Sequence, residues 1–295
     1  MTRQEFQKLT RKILLVDGAT GSNLMAMGMP RGTCTESWVL EHREILQNLQ
    51  RAYIEAGSQV IYAPTFGANR MNLAKHGLEK NIREMNLALV GISQEAAKST
   101  PGILVAGDVS PTGAMMEPMG DLTYERAFEV YQEQARYLLE AGVDLIAVET
   151  MYRIEETMAA IDAIRSVCAL PILCTVTVDA DGSLFTGGDA TEAAVSFEAS
   201  GADAVGVNCS VGPDQLISVI RNIHENVSIP VIAKPNAGMP LIDDKGNAIY
   251  SMGAVKFARN MKALVDAGAS IIGGCCGTTP EYIREVAHVC GLDVR

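Results

Sequence analysis

The sequence has no long apolar run and no surplus of positive charge. Its first apolar stretch, Ile13 to Val16, stops at Asp17. That is too short for a secretory signal core, and no run approaches the ~18 residues a membrane helix needs. Acidic residues outnumber basic ones, 35 to 24, for a formal net charge of -11. The basic face of a duplex-DNA binder is therefore missing, and an anionic membrane surface is a poor partner. No disulfide framework is visible either. The seven cysteines are odd in number and follow no framework spacing, which fits free or metal-bound thiols in a reducing compartment. The expectation is a cytoplasmic protein with no nucleic-acid and no membrane partner. Linkers, low-complexity tracts and long charge runs are also lacking.

What is present is an alternation. Apolar, β-branched runs lie near Ile13-Val16, Val60-Ala63, Ile103-Ala106, Leu145-Val148, Ile172-Val178, Ala204-Val207, Val231-Ala233 and Ile271-Ile272. Amphipathic segments separate them: Glu44-Ala56, Asn81-Ala97, Tyr124-Ala141, Ile154-Val167, Glu192-Ala199, Asp214-His224, Ala254-Ala267 and Glu281-Val289. Eight strands, each followed by a helix, imply parallel pairing through crossover helices. Eight such units in 295 residues match the size of a (β/α)₈ barrel, an α/β fold in a single domain. A doubly wound open sheet is the alternative. The segment Asn236-Tyr250, with Gly238, Pro240, Asp243, Asp244 and Gly246, predicts a turn or short hairpin. Ser110-Asp121 predicts a second long loop above strand three.

A weak repeat supports the barrel. Glu55-Ala56-Gly57, Glu140-Ala141-Gly142, Glu198-Ala199-Ser200-Gly201 and Asp266-Ala267-Gly268 precede strands two, four, six and eight. Each glycine suits the left-handed residue that ends a helix. Seven residues beyond Gly142, Gly201 and Gly268 stand Glu149, Asn208 and Cys275. Eight residues beyond stand Thr150, Cys209 and Cys276, and Thr65 is eighth from Gly57. If the glycines mark one height on the barrel floor, these residues share a level at the C-terminal rim, where barrel enzymes place their sites.

The chemistry concentrates in Gly273-Gly274-Cys275-Cys276-Gly277-Thr278 and Val207-Asn208-Cys209-Ser210. Three thiolates at two strand ends suit three ligands of a zinc ion with its fourth position open. The spacing is unlike a CxxC knuckle. Adjacent cysteines on a regular strand point to opposite faces, so Gly274 and Gly277 would have to allow an irregular backbone. The alternative is a small buried hydrophobe at Cys209 and a tight turn at Cys275-Cys276. Cys168, Cys174 and Cys290 read as structural, and Cys34 lies in a loop with no partner. His42, His76, His224 and His288 fall on helices or loops, and none stands at a strand end.

Other strand ends carry polar groups. Asp17-Gly18-Ala19-Thr20-Gly21-Ser22 can offer backbone N–H groups to a carboxylate. Glu149 can pair with an ammonium, Asn236 offers both donor and acceptor, and Thr65-Phe66 can wall a pocket. Together they suit the zwitterionic head of an amino acid beside a metal for its side chain. Each also serves equally well as a cap or turn residue. Lys234, near the end of strand seven, raises a competing aldolase-like reading through a Schiff base, which leaves the paired cysteines unexplained.

Asp17-Gly18-Ala19-Thr20-Gly21, Thr65-Phe66-Gly67-Ala68-Asn69, Val148-Glu149-Thr150-Met151, Gly206-Val207-Asn208-Cys209, Lys234-Pro235-Asn236-Ala237-Gly238 and Gly273-Gly274-Cys275-Cys276-Gly277-Thr278 resemble the motifs of homocysteine S-methyltransferases. Over essentially the whole chain the likeness is greatest to the N-terminal homocysteine-binding barrel of cobalamin-dependent methionine synthases. The resemblance implies a barrel with zinc on Cys209, Cys275 and Cys276. It also implies a homocysteine head group held around Asp17, Gly18, Ala19, Glu149 and Asn236, with Thr65 and Phe66 nearby. Ala63-Pro64 and Cys34-Thr35-Glu36-Ser37 depart from the family pattern and bear on the mouth of the site.

The implied reaction is methyl transfer to the homocysteine thiol, giving methionine. A free thiol is mostly protonated at neutral pH; zinc would take the place of that proton. Three thiolates overbalance a dication, so a fourth sulfur stays electron-rich. The implied donor is methylcobalamin on a separate corrinoid protein, since residues 1–295 account for the barrel and for no folate, cobalamin or activation domain. Homologues of the wider family instead use a small donor, S-methylmethionine or betaine. A non-catalytic zinc- and homocysteine-binding subunit is the reading from another class.

Overall fold

Eight short apolar runs become the staves of a parallel barrel. In a computed structural model, which describes residues 1–242 and 248–294, the strands are β1 (Leu14–Leu15), β2 (Val60–Tyr62), β3 (Leu104–Val109), β4 (Leu145–Met151), β5 (Ile172–Val176), β6 (Ala204–Asn208), β7 (Val231–Lys234), β8 (Pro240–Ile242), β9 (Ala248–Tyr250) and β10 (Ala269–Ile272). All but β8 and β9 form one sheet in the order β1-β10-β7-β6-β5-β4-β3-β2. A parallel bridge from Val16 to Val60 joins its two edges, and Gln59 N donates to Leu15 O at 2.7 Å. The sheet thus closes on itself, and the open doubly wound alternative falls away.

Alternation along each strand divides the core into two shells. Leu14, Val16, Val60, Tyr62, Leu145, Leu173, Ile232 and Ile271 fill the barrel interior. The opposite faces pack against the surrounding helices, for example Ile61, Ile146, Val205 and Ile272. The helix Tyr124–Ala141 shows how an outer element is bounded. The Thr123 side chain accepts from Arg126 N at its start, and Gly142 ends it at φ 79°, as the sequence motif requires. The other repeat glycines, Gly57, Gly201 and Gly268, also have positive φ.

Several elements were not expected from the sequence. The charged N-terminus folds into a helix, Arg3–Leu9, closed by a capping box between Thr2 and Glu5. Its Phe6 is wholly buried and joins the interior shell. Arg3 Nε reaches Asp203 Oδ1 at 2.5 Å, just before β6, so this helix stoppers the N-terminal end of the barrel. Burying one such ring stabilises by roughly 1.5–3 kcal/mol. The chain between β1 and β2 carries two short helices, Gly21–Ala26 and Thr35–Glu41, ahead of the barrel helix Arg43–Glu55. Cys34 is the last loop residue before the second of these, in the N-cap position. It is buried, and its thiol donates to Glu36 Oε2 at 3.3 Å. The hairpin anticipated in Asn236-Tyr250 is the antiparallel pair β8–β9; Asp243, Asp244 and Gly246 lie outside the described residues.

Gly206 in β6 stands where no side chain fits, since a Cβ there would lie 2.0 Å from Ile232 O. Gly206→Ala should destabilise by roughly 1–3 kcal/mol or more, the cost of overpacking, read as a lower urea midpoint. Gly91→Ala is the matched control. It sits in the exposed face of the helix Ile82–Ala97 with nothing within 4 Å of its Cβ position, and should gain up to about 1 kcal/mol. Equal midpoints for the two variants would contradict the packing assigned to β6.

Candidate metal centre and adjoining cavity

Three neighbouring strands set the site. β7 lies between β6 and β10, with Asn208 paired to Lys234 and Ile272 to Ala233. Beyond the strand ends the backbone stays tied to β7. Cys209 N donates to Lys234 O at 3.2 Å, Cys275 N to Pro235 O at 2.9 Å, and Ala237 N to Cys276 O at 3.0 Å. This lacing brings the half-buried thiols of Cys209, Cys275 and Cys276 together, all three sulfurs within 4.8 Å of one another. Cys209 Sγ and Cys276 Sγ are 3.5 Å apart.

The irregular backbone expected around the cysteines is present, for two different reasons. Gly277 has φ 83°, and a Cβ there would also strike the Tyr250 ring at 2.2 Å. Gly274 is needed for close approach instead, because a Cβ would meet the Thr278 side chain at 2.4 Å. Cys209 itself has φ 48°, an uncommon conformation for a residue with a side chain. Hydrogen bonds donated by Cys209 and Cys275, with help from Tyr250, hold the Cys276 thiol well below the usual range. The same thiol contacts, with Cys209 first, and burial push Cys275 upward. A cation bound to the three sulfurs would take the place of their protons.

Beside the thiols is a cavity of about 430 Å³, the scale of a small-molecule site. Asp17, Gly18, Ala19, Phe66 and Glu149 line it together with the three cysteines. Thr65 and Asn236 do not. Thr65 is fully buried behind the wall, where its hydroxyl donates to Asp108 O at 2.8 Å and accepts from Asp108 N at 2.9 Å. Asn236 Nδ2 donates to Ser210 O at 2.6 Å, and its buried Oδ1 has no partner among the described residues. Lys234 is neither solvated nor free. Its Nζ donates to Glu149 Oε2 at 2.7 Å and lies 3.5 Å from the centre of the Tyr62 ring. Burial opposes its charge, but Glu149, Tyr62 and Asp17 outweigh that and keep it protonated, which removes the amine a Schiff base requires.

Sequence reasoning missed Asp108, Tyr62, Thr150 and Tyr250 as lining groups. Thr150 was signalled by its place eight residues after Gly142. It has φ 60°, a strained state for a β-branched side chain, worth roughly 1–3 kcal/mol. Asn208 holds it there: Oδ1 accepts from Thr150 N at 2.8 Å and from Thr175 Oγ1 at 2.7 Å, and Nδ2 donates to Thr150 Oγ1 at 2.8 Å. Asn208 Nδ2 also lies 3.9 Å from Cys275 Sγ. One buried amide therefore joins the strand end that carries Glu149 to the thiol cluster.

Asp17 Oδ2 accepts from Tyr62 N at 2.8 Å, yet burial raises its carboxyl from 3.8 to about 7. Between those values the folded chain keeps a proton that the unfolded chain has released. This group's contribution is most favourable below its unfolded pKa and declines as pH rises through about 7. Asn cannot ionise and retains an acceptor for Tyr62 N. Asp17→Asn should therefore raise the melting temperature relative to wild type by several degrees more at pH 8 than at pH 4. A difference independent of pH would remove the basis for this assignment.

Comparison with known proteins adds identity to geometry. The family model for homocysteine S-methyltransferase matches residues 14–290. Methionine synthase of Mycobacterium leprae is 30% identical over 297 residues, covering 95% of this chain and 24% of that protein. Methionine synthase of Mycobacterium tuberculosis is 30% identical over 295 residues, covering 95% and 25%. The chain thus spans about a quarter of the length of the curated relatives it matches. In fold it is similar to the homocysteine methyltransferase MmuM from Escherichia coli, at 23% identity. The oxidized form gives a TM-score of 0.80 over 94% of this chain and 95% of that one. The metallated form gives 0.78 over 94% and 96%. With the match running from the first barrel strand through the last barrel helix, the chain belongs to the homocysteine S-methyltransferase family.

Proposed function

We propose that this chain is an enzyme that transfers a methyl group to the thiol of homocysteine, giving methionine, with zinc held by Cys209, Cys275 and Cys276. The observation that carries the reading is the meeting of three sulfurs within 4.8 Å on the wall of a cavity sized for an amino acid. Their donor chemistry fits zinc. Three soft thiolates without a carboxylate or imidazole favour it, and a three-ligand set leaves a position for substrate. The relative in fold from Escherichia coli has a metallated form. When bound, zinc would act as a Lewis acid for the substrate sulfur, standing in for its proton.

The chain's own residues would orient the acceptor. Asp17 and Glu149 supply carboxyl oxygens for the ammonium of homocysteine, and Gly18, Ala19 and Phe66 shape the wall beside them. The Asn208 contacts to Thr150 and Cys275 keep head group and thiol site in a constant relation.

For the donor we propose methylcobalamin carried by a corrinoid protein. Met25 and Phe66 at the cavity, with Met115, Met119 and Met239 on loops after β3 and β7, are exposed large apolar side chains. Such a rim suits a macromolecular partner better than water. The curated relatives are methionine synthases about four times as long as the matched region, which supports the same donor. A small donor such as S-methylmethionine or betaine is the second reading, favoured by the fold likeness to MmuM over nearly its whole length. We place the protein in the cytoplasm because its cysteines are all free thiols; no helix among the described residues is long and apolar enough to cross a membrane.

Replacing Cys209, Cys275 or Cys276 by Ala should abolish retention of zinc, measured by elemental analysis, and lower methionine formation by at least about a thousandfold, the scale of losing an essential catalytic group. Undiminished turnover after complete removal of zinc would defeat the mechanism. Supplying homocysteine with methylcobalamin on a corrinoid protein should yield methionine. Turnover with S-methylmethionine or betaine alone would reassign the donor.

A further inference from the structure

The three ligand sulfurs have the same chemistry as the sulfur they would present for methylation, so a working site has to tell them apart. We propose that Tyr250 does so at Cys276: its hydroxyl donates to that sulfur and keeps it from competing with the substrate for the methyl group. The inference rests on the reading of Cys209, Cys275 and Cys276 as zinc ligands and is independent of which donor the enzyme uses.

The need follows from the cavity. Cys209, Cys275 and Cys276 all line it, and none of the three is fully buried. A methyl donor that reaches the substrate therefore comes close to them as well. Attack by a ligand sulfur would form an S–CH3 bond as the donor's bond to that carbon breaks, the donor leaving with the electron pair. The ligand becomes a neutral thioether, and the thiolate that held the metal is gone. A hydrogen bond donated to a thiolate draws on the electron pairs with which it would attack, and such outer contacts also orient a metal's ligands.

Tyr250 is built into place for this. It is the last residue of β9, paired with Pro240 of β8, and it lines the cavity with the thiols. Its ring packs on Gly277, where a Cβ would strike it at 2.2 Å, and its hydroxyl is hydrogen-bonded to the Cys276 side chain. The backbone ties both partners to one residue: Ala237 N donates to Cys276 O, and Ala237 O accepts from Met252 N, each at 3.0 Å. The Tyr282 hydroxyl donates to Met252 O at 2.7 Å and anchors the segment after β9. A phenol is protonated at neutral pH and remains a donor. The Cys209 and Cys275 thiols also donate to Cys276, but those protons leave when a cation binds. Of the other two sulfurs, Cys275 has the Asn208 amide at 3.9 Å. Cys209 has no donor from outside the cluster among the described residues, which makes it an internal reference.

The test uses zinc-loaded protein without homocysteine, treated with methyl iodide. Peptide mass spectrometry reads the rate of S-methylation at each cysteine, with zinc content measured on the same samples. Tyr250→Phe keeps a ring against Gly277 and removes only the hydroxyl. It should speed methylation of Cys276 roughly tenfold, the scale of one hydrogen bond to a charged group, with zinc released in step, and leave Cys209 within about twofold. Tyr250→Leu, without ring or hydroxyl, supplies the same comparison if Tyr250→Phe fails to fold. Equal rates at Cys276 in wild type and variant, or an equal rise at Cys209 and Cys276, overturn the inference while the zinc site stands. The expected pattern in a protein that makes no methionine from any donor would uphold the inference while the proposed reaction fell. A wild type that retains no zinc overturns both.

Discussion

Everything at the rim depends on β7 being gripped from both sides. The segments just beyond its neighbours β6 and β10 supply the cysteines, and hydrogen bonds to Lys234 O and Pro235 O hold Cys209 and Cys275. A parallel barrel makes this lacing available because all strands end on the same face. Cys209 is 66 residues from Cys275 in sequence, and no local geometry could unite it with the adjacent pair Cys275-Cys276. Their sulfurs meet because two strand ends cannot drift relative to the one between them.

The same device links chemistry to recognition. Asn208, the last residue of β6, is paired across the sheet with Lys234 and hydrogen-bonded in the other direction to Thr150. Thr150 is held in a left-handed conformation, and its neighbour Glu149 reaches the Lys234 ammonium. A strained residue pinned by a buried amide is a costly arrangement. It gives one rigid layer that runs from the thiols through β6 to the acids of β4. That rigidity sets the separation between the thiols and the acids of β4.

Much of this was legible in the chain. Short apolar, β-branched runs alternating with amphipathic segments marked the staves, and the four glycines before alternate strands marked their common floor. Counting from those glycines placed Glu149, Asn208 and Cys275 at one level, and the Asn208 contacts to Thr150 and Cys275 bear that out. Other parts were not legible. The N-terminal helix is charged on its surface, and a single buried Phe6 is too little pattern to announce a stopper. Thr65 sits beside Phe66 in sequence, but only the fold shows that Phe66 faces the cavity while Thr65 turns behind it to bond Asp108. Asn236, two residues from the cavity-lining Lys234, faces the Cys209–Val211 turn instead. The helix that begins just after Cys34 went unread because the helices after β1 are short and carry no amphipathic period.

By itself, then, the sequence determined the family, the barrel and which three cysteines stand at neighbouring strand ends, because periodicity and motif are properties of neighbouring residues and survive without coordinates. Tertiary structure alone decided which polar side chains share the cavity. Asp17, Asp108, Glu149 and Lys234 come from four different strand ends, and whether a carboxylate there is satisfied, bare or paired depends on what the closing of the barrel sets opposite it. That is a matter of distance and burial, which a one-dimensional pattern does not carry.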